Sequence, residues 1–181
     1  GRATLTAIDG VAGQIPLGGK IRIRDFQMPA VVNLGVSHRV NDQLTLAADV
    51  SRVFWSSVMK DIKVGFVADA GGDLNILLPQ NYKDQTILAM GAAWQMDSRW
   101  TLRGGLRLAQ QALSSSTLFA GTPATPRKHV SVGVGYALSP SSTVDFAWSH
   151  AFQENMNNVS LPNTSAPIRV SHAQDNGTLV Y

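Results

Sequence analysis

The sequence predicts an all-β fold, an antiparallel up-and-down transmembrane β-barrel, of which this chain supplies a wall of about eight strands. Three observations predict it. Side chains alternate between apolar and small or polar with period two along most of the chain. Short and long connections alternate from Asn41 onward, and aromatic residues gather beside the short ones.

Composition narrows the field. With 181 residues the chain is long enough for a single domain. Mean hydropathy is +0.01, and no apolar run is long enough for a transmembrane helix. Such neutrality fits strands that are apolar on one side only. The chain has 0 cysteines, which removes disulfide scaffolds and thiolate chemistry. Its +3 net charge comes from scattered basic residues without a Lys/Arg block, so nucleic acid is not an expected partner. The chain opens at Gly1 with neither methionine nor an apolar leader and reads as a fragment.

Strands are expected near 2–8, 20–40, 43–67, 83–96, 99–112, 127–138, 142–153 and 167–181. Asn41-Asp42, Asp97-Ser98 and Ser139-Pro140-Ser141-Ser142 read as short turns, and 9–20, 68–82, 113–126 and 154–166 as long connections. The stretch 99–109 is the clearest strand. Trp100, Leu102, Gly104, Leu106 and Leu108 fall on one face, and Arg99, Thr101, Arg103, Gly105 and Arg107 on the other. A helix there would carry Gly104-Gly105 in its middle, at a cost of about 2 kcal/mol relative to alanine. The parity recurs: Val32, Leu34 and Val36 oppose Asn33, Gly35 and Ser37, and Val130, Val132, Val134 and Tyr136 oppose His129, Ser131, Gly133 and Gly135.

A soluble β-sandwich would show the same local alternation, with the bulky face buried between two sheets. Alternating loop lengths, Trp94 and Trp100 flanking Asp97-Ser98, and strands of about 11 residues favour the barrel. Two places strain it. Arg22 and Arg24 fall on the outward parity, so either they stand above the membrane among lipopolysaccharide phosphates, or Pro29 marks a bulge that resets the register. Segment 43–67 is too long for one crossing and reads as a strand projecting beyond the membrane rather than one turning at Ser56-Ser57.

The inferred inner face carries Arg39, Asp49, Asp61, Lys63, Arg103, Arg107 and Asp145. Arg103 or Arg107 could grip a substrate carboxylate with its planar fork, and the alternative is a ladder of Arg–Asp pairs holding the wall together. Leu74, Ile76, Leu77 and Leu78 form an apolar patch in an expected extracellular loop, either a hairpin extension or a docking surface for a hydrophobic molecule. His38, His129, His150 and His172 show no metal-ligand spacing. Ser149-His150 near Asp145 suggests a hydrolase, but parity sends Ser149 and His150 to opposite faces, so no catalytic group is expected.

From Pro29 the sequence reads PAVVNLGVSHRVNDQLTLAADVSRVFWSS, with a Leu-Gly, a short turn, an alternating strand and a Trp-Ser. Asp84 opens a later strand that contains Gly91, followed by Trp100-Thr101-Leu102-Arg103 and Gly105. His129 to Phe152 reads HVSVGVGYALSPSSTVDFAWSHAF. In order and spacing these segments resemble the outer-membrane long-chain fatty-acid and aromatic-hydrocarbon transporters (FadL/TodX-like). The resemblance covers 29–153 well, and departs at Gln110 to Leu113 and at the basic stretch Pro123 to Lys128.

That resemblance implies a barrel of about 14 strands with an N-terminal plug, of which this chain would be a C-terminal part, without the plug and the end of the final strand. It implies an outer-membrane location, passive transport of hydrophobic small molecules, contact with outer-membrane lipid and lipopolysaccharide, a monomeric full-length protein, no cofactor and no enzymatic step. A general porin or structural barrel is the competing function.

Overall fold

A computed structural model of the chain describes residues 2–5, 17–69, 71–115, 117, 126–159 and 168–180. In chain order the strands are β1 (Arg2–Leu5), β2 (Leu17–Arg24), β3 (Val31–Arg39), β4 (Leu44–Val53), β5 (Asp61–Ala68), β6 (Asp73–Pro79), β7 (Gln85–Gln95), β8 (Trp100–Ala109), β9 (Lys128–Ser139), β10 (Ser142–Val159) and β11 (Ile168–Val180). A single 3-10 turn, Trp55–Ser57, lies between β4 and β5. Every pairing is antiparallel. One sheet has seven strands in the order β11-β10-β9-β8-β7-β4-β3, and a second has four in the order β1-β2-β5-β6.

The seven-stranded sheet is the wall that the alternation predicts. One register row joins Val36, Ala48, Met90, Leu106 and Val130 across five strands. Val36, Met90 and Leu106 on that row are 69%, 59% and 56% exposed. A sandwich would bury this face, and instead it stands open, as a lipid-facing surface must. The next row along the strands, Ser37, Ala47, Gly91, Gly105, Ser131, Ser149 and Asn176, lies on the opposite face and crosses all seven strands.

Short turns close one end of this wall. Asn41 Oδ1 accepts the backbone N–H groups of Gln43 and Leu44 at 2.9 and 2.8 Å. Asp97 Oδ1 does the same for Arg99 and Trp100 at 2.7 and 2.8 Å. Both are side chains that mimic a backbone turn. Trp100 packs on Tyr136 at 4.6 Å between ring centroids, and Arg99 Nη1 donates to the Tyr136 hydroxyl at 3.3 Å. The exposed Trp100 and the half-buried Tyr136 sit where an interfacial girdle belongs.

The long expected strands are interrupted. The stretch 20–40 divides at 25–30, where Asp25 adopts φ 54° and Pro29 has no N–H to give a ladder. The stretch 43–67 divides at the 3-10 turn. The expected loop 68–82 contains β6, and β10 runs on to Val159 into the expected loop 154–166. Eleven strands are therefore present among the described residues where eight were expected. The break after β4 does not fold the chain back, because β5 pairs with β2 and β6 rather than with β4. The order β6-β5-β2 repeats the order β7-β4-β3, so the smaller sheet extends the same strands beyond three interruptions at a common level.

The interruptions are tied together. Phe54 N–H donates to Ala30 O at 3.0 Å, and Tyr82 N–H to Met59 O at 3.1 Å. Asp84 Oδ1 accepts both Ser56 N–H, at 3.0 Å, and Ser56 Oγ–H, at 2.6 Å. These two bonds, with Arg52 nearby, hold the Asp84 carboxyl below the usual carboxylate range.

Candidate functional site

The inner face of the seven-stranded sheet holds a concavity of about 580 Å³. Its floor is the small-residue row through Ala47, Gly91, Gly105, Ser131 and Ser149. Charged groups stand on the rows to either side. Toward the short turns are Arg103 and Asp145, and toward the other end are Asp49, Arg107 and His129.

Arg103 on β8 and Asp145 on β10 are separated by β9, yet Arg103 Nη1 reaches Asp145 Oδ1 at 2.5 Å. Register explains the reach. Arg103 lies opposite Gly133, and Asp145 opposite Gly135. A Cβ at Gly135 would stand 2.5 Å from Asp145 Oδ1 and 3.0 Å from Arg103 Nη1. The glycine is the space through which the pair meets.

A second pair joins Arg127, beside β9, to Glu154 on β10. Strict alternation cannot place Glu154 inside. Ala151 pairs with Gln174 and Glu154 with His172, so β10 has one residue more than β11 between them. That β-bulge reverses the parity beyond it and turns Glu154 and Met156 inward. Met156 and Tyr82 pack there on the buried Leu113 and Val170.

The other expected residues separate. Arg39 leaves the concavity, donating to the backbone carbonyls of Asn41 and Asp42 at 3.4 and 3.2 Å. Asp61 and Lys63 lie on β5 in the smaller sheet, not on the wall, because the break at 54–60 carries β5 beyond it. Arg22 and Arg24 belong to β2 of that same sheet, so no bulge at Pro29 resets them within the wall. Lys63 Nζ meets Asp25 Oδ2 at 2.8 Å, which lowers the Asp25 carboxyl and raises the Lys63 ammonium from their ordinary values.

Leu74, Ile76, Leu77 and Leu78 are on strand β6, not in a loop, and period two divides them. Register groups Leu74 with Phe66 and Ile21, Ile76 with Val64 and Ile23, and Leu78 with Ile62. Leu77 falls on the opposite face with Lys63 and Arg24. The smaller sheet thus has an apolar face, and a polar face that also carries Lys20 and Arg22.

His129 and Gly135 are site residues that the charge inventory passed over, although their odd parity points inward. On the outer face His150 Nδ1 lies 2.8 Å from Asp175 Oδ1, away from Ser149, so Ser149 and His150 form no catalytic pair. Among the described residues no three His, Cys, Asp or Glu side chains cluster to hold a metal.

Comparison with known proteins places this geometry. Residues 2–175 match the family model described as outer membrane protein transport protein (OMPP1/FadL/TodX). Outer membrane protein P1 of Haemophilus influenzae is 26% identical over 140 residues, 77% of this chain and 29% of that protein. The crystal structure of the Ralstonia pickettii toluene transporter TbuX aligns with a TM-score of 0.74 at 37% identity, covering 99% of this chain and 38% of that one. The P. putida toluene transporter TodX aligns with a TM-score of 0.77 at 32% identity, covering 99% and 40%. The chain therefore spans about three tenths of P1 and two fifths of the two transporters.

Proposed function

The chain belongs to the outer membrane protein transport family OMPP1/FadL/TodX, and on that premise we propose that it forms one sector of a passive outer-membrane channel for hydrophobic compounds. The carrying observation is the inner wall. Its floor is a band of small side chains, and the pairs Arg103–Asp145 and Arg127–Glu154 cancel charge on either side of it. A solute with little hydrogen-bonding capacity can slide along that floor without stripping water from the paired ions beside it. A general diffusion pore would instead be served by a strongly charged, water-filled lumen.

Monoaromatic hydrocarbons are the substrate class we favour over long-chain fatty acids, since two relatives matched over nearly the whole chain are toluene transporters. Capture would begin on the apolar face of the smaller sheet, through Ile21, Ile23, Leu74 and Ile76, which are exposed. On the opposite face Lys20 and Arg22 suit the phosphates of lipopolysaccharide. The full-length protein works as a monomer, without cofactor, energy source or catalytic step. Uptake of labelled toluene and labelled oleate in a deletion strain tests the reading. It predicts that the full-length gene restores at least one of them, and restoration of neither sinks it.

A further inference from the structure

The outward row through Val36, Ala48, Met90, Leu106 and Val130 does not end at β9. Val130 pairs with His150 on β10, and His150 with Asp175 on β11. A row that is apolar across five strands thus finishes in a polar pair. His150 Nδ1 lies 2.8 Å from Asp175 Oδ1, and the Asp175 side chain is 60% exposed. A carboxylate facing hydrocarbon is costly, so the level of the pair in the membrane decides what it meets. Rows of a tilted barrel climb by about 3 Å per strand. This one climbs away from the short turns, since Val36 is nearer to the turn at Asn41 than Leu106 is to the turn at Asp97. Following β8 up from Trp100 to Leu106, and then the row across to β11, raises His150 and Asp175 by roughly 20–25 Å. That is the outer edge of an apolar band ~25 Å tall.

Aromatic rings frame the pair. Trp148 stacks on His150 at 5.9 Å between ring centroids, and Phe152 packs edge-on to it at 4.9 Å. Trp148 and Phe152 are both exposed. Beyond Phe152 the bulge leaves Gln153 outward as well, where its Nε2 donates to Ser171 Oγ. A carboxylate can only accept, so His150 Nδ1 is the donor of the pair. Asp175 keeps acceptor capacity beyond that bond, and Nε2 of the neutral imidazole is an acceptor too. A negative carboxylate between two aromatic faces repels a phosphate. It suits the hydroxyl and amide N–H groups of a pyranose ring, whose C–H faces lie against the negative face of an aromatic.

We propose that Trp148, His150, Phe152 and Asp175 form a docking site on the outer wall for the acylated amino-sugar headgroup of lipopolysaccharide. Asp175 accepts from hydroxyl or amide N–H groups of the sugar, and Trp148 and Phe152 hold its ring faces. The acyl chains run down the apolar face past Phe146 and Val132, which are exposed. The proposal goes beyond the transport reading. It needs the outer-membrane location and no particular cargo. It is also separate from the Lys20 and Arg22 face of the smaller sheet, whose chemistry addresses phosphates.

The test uses the full-length protein in nonionic detergent, with native mass spectrometry following the binding of lipid A and of cardiolipin, which has phosphates and acyl chains but no sugar ring. Wild type should bind lipid A more tightly than cardiolipin. Asp175→Asn, which keeps the side-chain shape, should weaken lipid A about tenfold, the lower end of the range for losing hydrogen bonds to a charged group, and leave cardiolipin within about twofold. Trp148→Leu should weaken lipid A by a smaller factor and also spare cardiolipin. Both variants should keep the heat-modifiable gel migration of the folded barrel. Lipid A binding that either substitution leaves intact, equal loss of both lipids, or no wild-type preference for lipid A would each overturn the site. So would a wild-type dimer whose dissociation, rather than its lipid A affinity, follows the two substitutions, because the occupant would then be a second copy. Toluene and oleate uptake separate the two readings. Absence of both in wild type would remove the transport reading and leave the lipid A preference to be judged by itself.

Discussion

Arg103 and Asp145 meet across a strand that belongs to neither of them, over a backbone position without a side chain. The pair links β8 to β10 independently of the hydrogen-bond ladders, and only glycine at 135 leaves it room.

Gly135→Ala should therefore push the pair apart. Its new methyl would stand 2.5 Å from Asp145 Oδ1 and 3.0 Å from Arg103 Nη1, the ends of two flexible side chains that can swing away. The loss should be no more than the pair itself contributes, below about 1 kcal/mol, seen as a small drop in the unfolding midpoint of the full-length barrel. The Arg103–Asp145 pair itself, 49% and 35% exposed, should give a coupling below about 1 kcal/mol in a double-mutant cycle of Arg103→Gln and Asp145→Asn. A coupling well above that would mean that the pair carries the wall rather than sitting on it.

The two Asx-type turns should respond differently to acid. Asp97 accepts the N–H groups of Arg99 and Trp100, which holds its carboxyl below 3.8. A carboxyl depressed in the folded state stabilises above its unfolded value and loses that contribution as the pH falls through the folded one. Hydrogen exchange in the β7–β8 turn should thus accelerate below about pH 4 relative to the β3–β4 turn, where Asn41 fills the same role without titrating. Asp97→Asn should abolish the difference.

Asp84 fastens the 3-10 turn to the start of β7. In Asp84→Ala the Ser56 N–H and hydroxyl lose their acceptor, and Arg52 loses its carboxylate neighbour. Limited proteolysis should then cut within 54–60 faster than in wild type, while the turns at Asn41 and Asp97 keep their protection. Uniform sensitivity along the chain would show that Asp84 serves global stability instead.

Neighbouring leucines on β6 should differ in effect. Leu74→Asn interrupts the apolar face shared with Ile21 and Phe66, whereas Leu77→Asn alters the face shared with Arg24 and Lys63. If capture uses the apolar face, initial toluene uptake should fall roughly two- to fivefold in Leu74→Asn, a fraction of the transfer energy of one leucine, and stay near wild type in Leu77→Asn.

The wall was legible because parity is local. Val36, Leu106 and Val130 could be assigned to the lipid face from their own neighbours in sequence, and pairing brought them into one row. Interruptions were less legible. Val58, Met59, Ile62 and Val64 have strand-like composition, and the signal that divides them is the bond from Ser56 to Asp84, 28 residues away. The charged residues were found by type and face, but their partners depend on strand order and register. Arg103 and Arg107 look equivalent in sequence and differ only because Asp145 lies two strands from one of them. Glu154 was illegible in principle, since one extra residue in β10 reverses every later assignment.

The three interruptions at a common level have an evolutionary reading. They act as a crease across neighbouring strands, below which register is fixed by row after row of paired residues and above which a separate sheet keeps its own register. Residues can be gained, lost or exchanged on the outer side of that crease without shifting a single row of the membrane wall. A lineage could in this way change what it gathers from outside while inheriting its conduit unaltered.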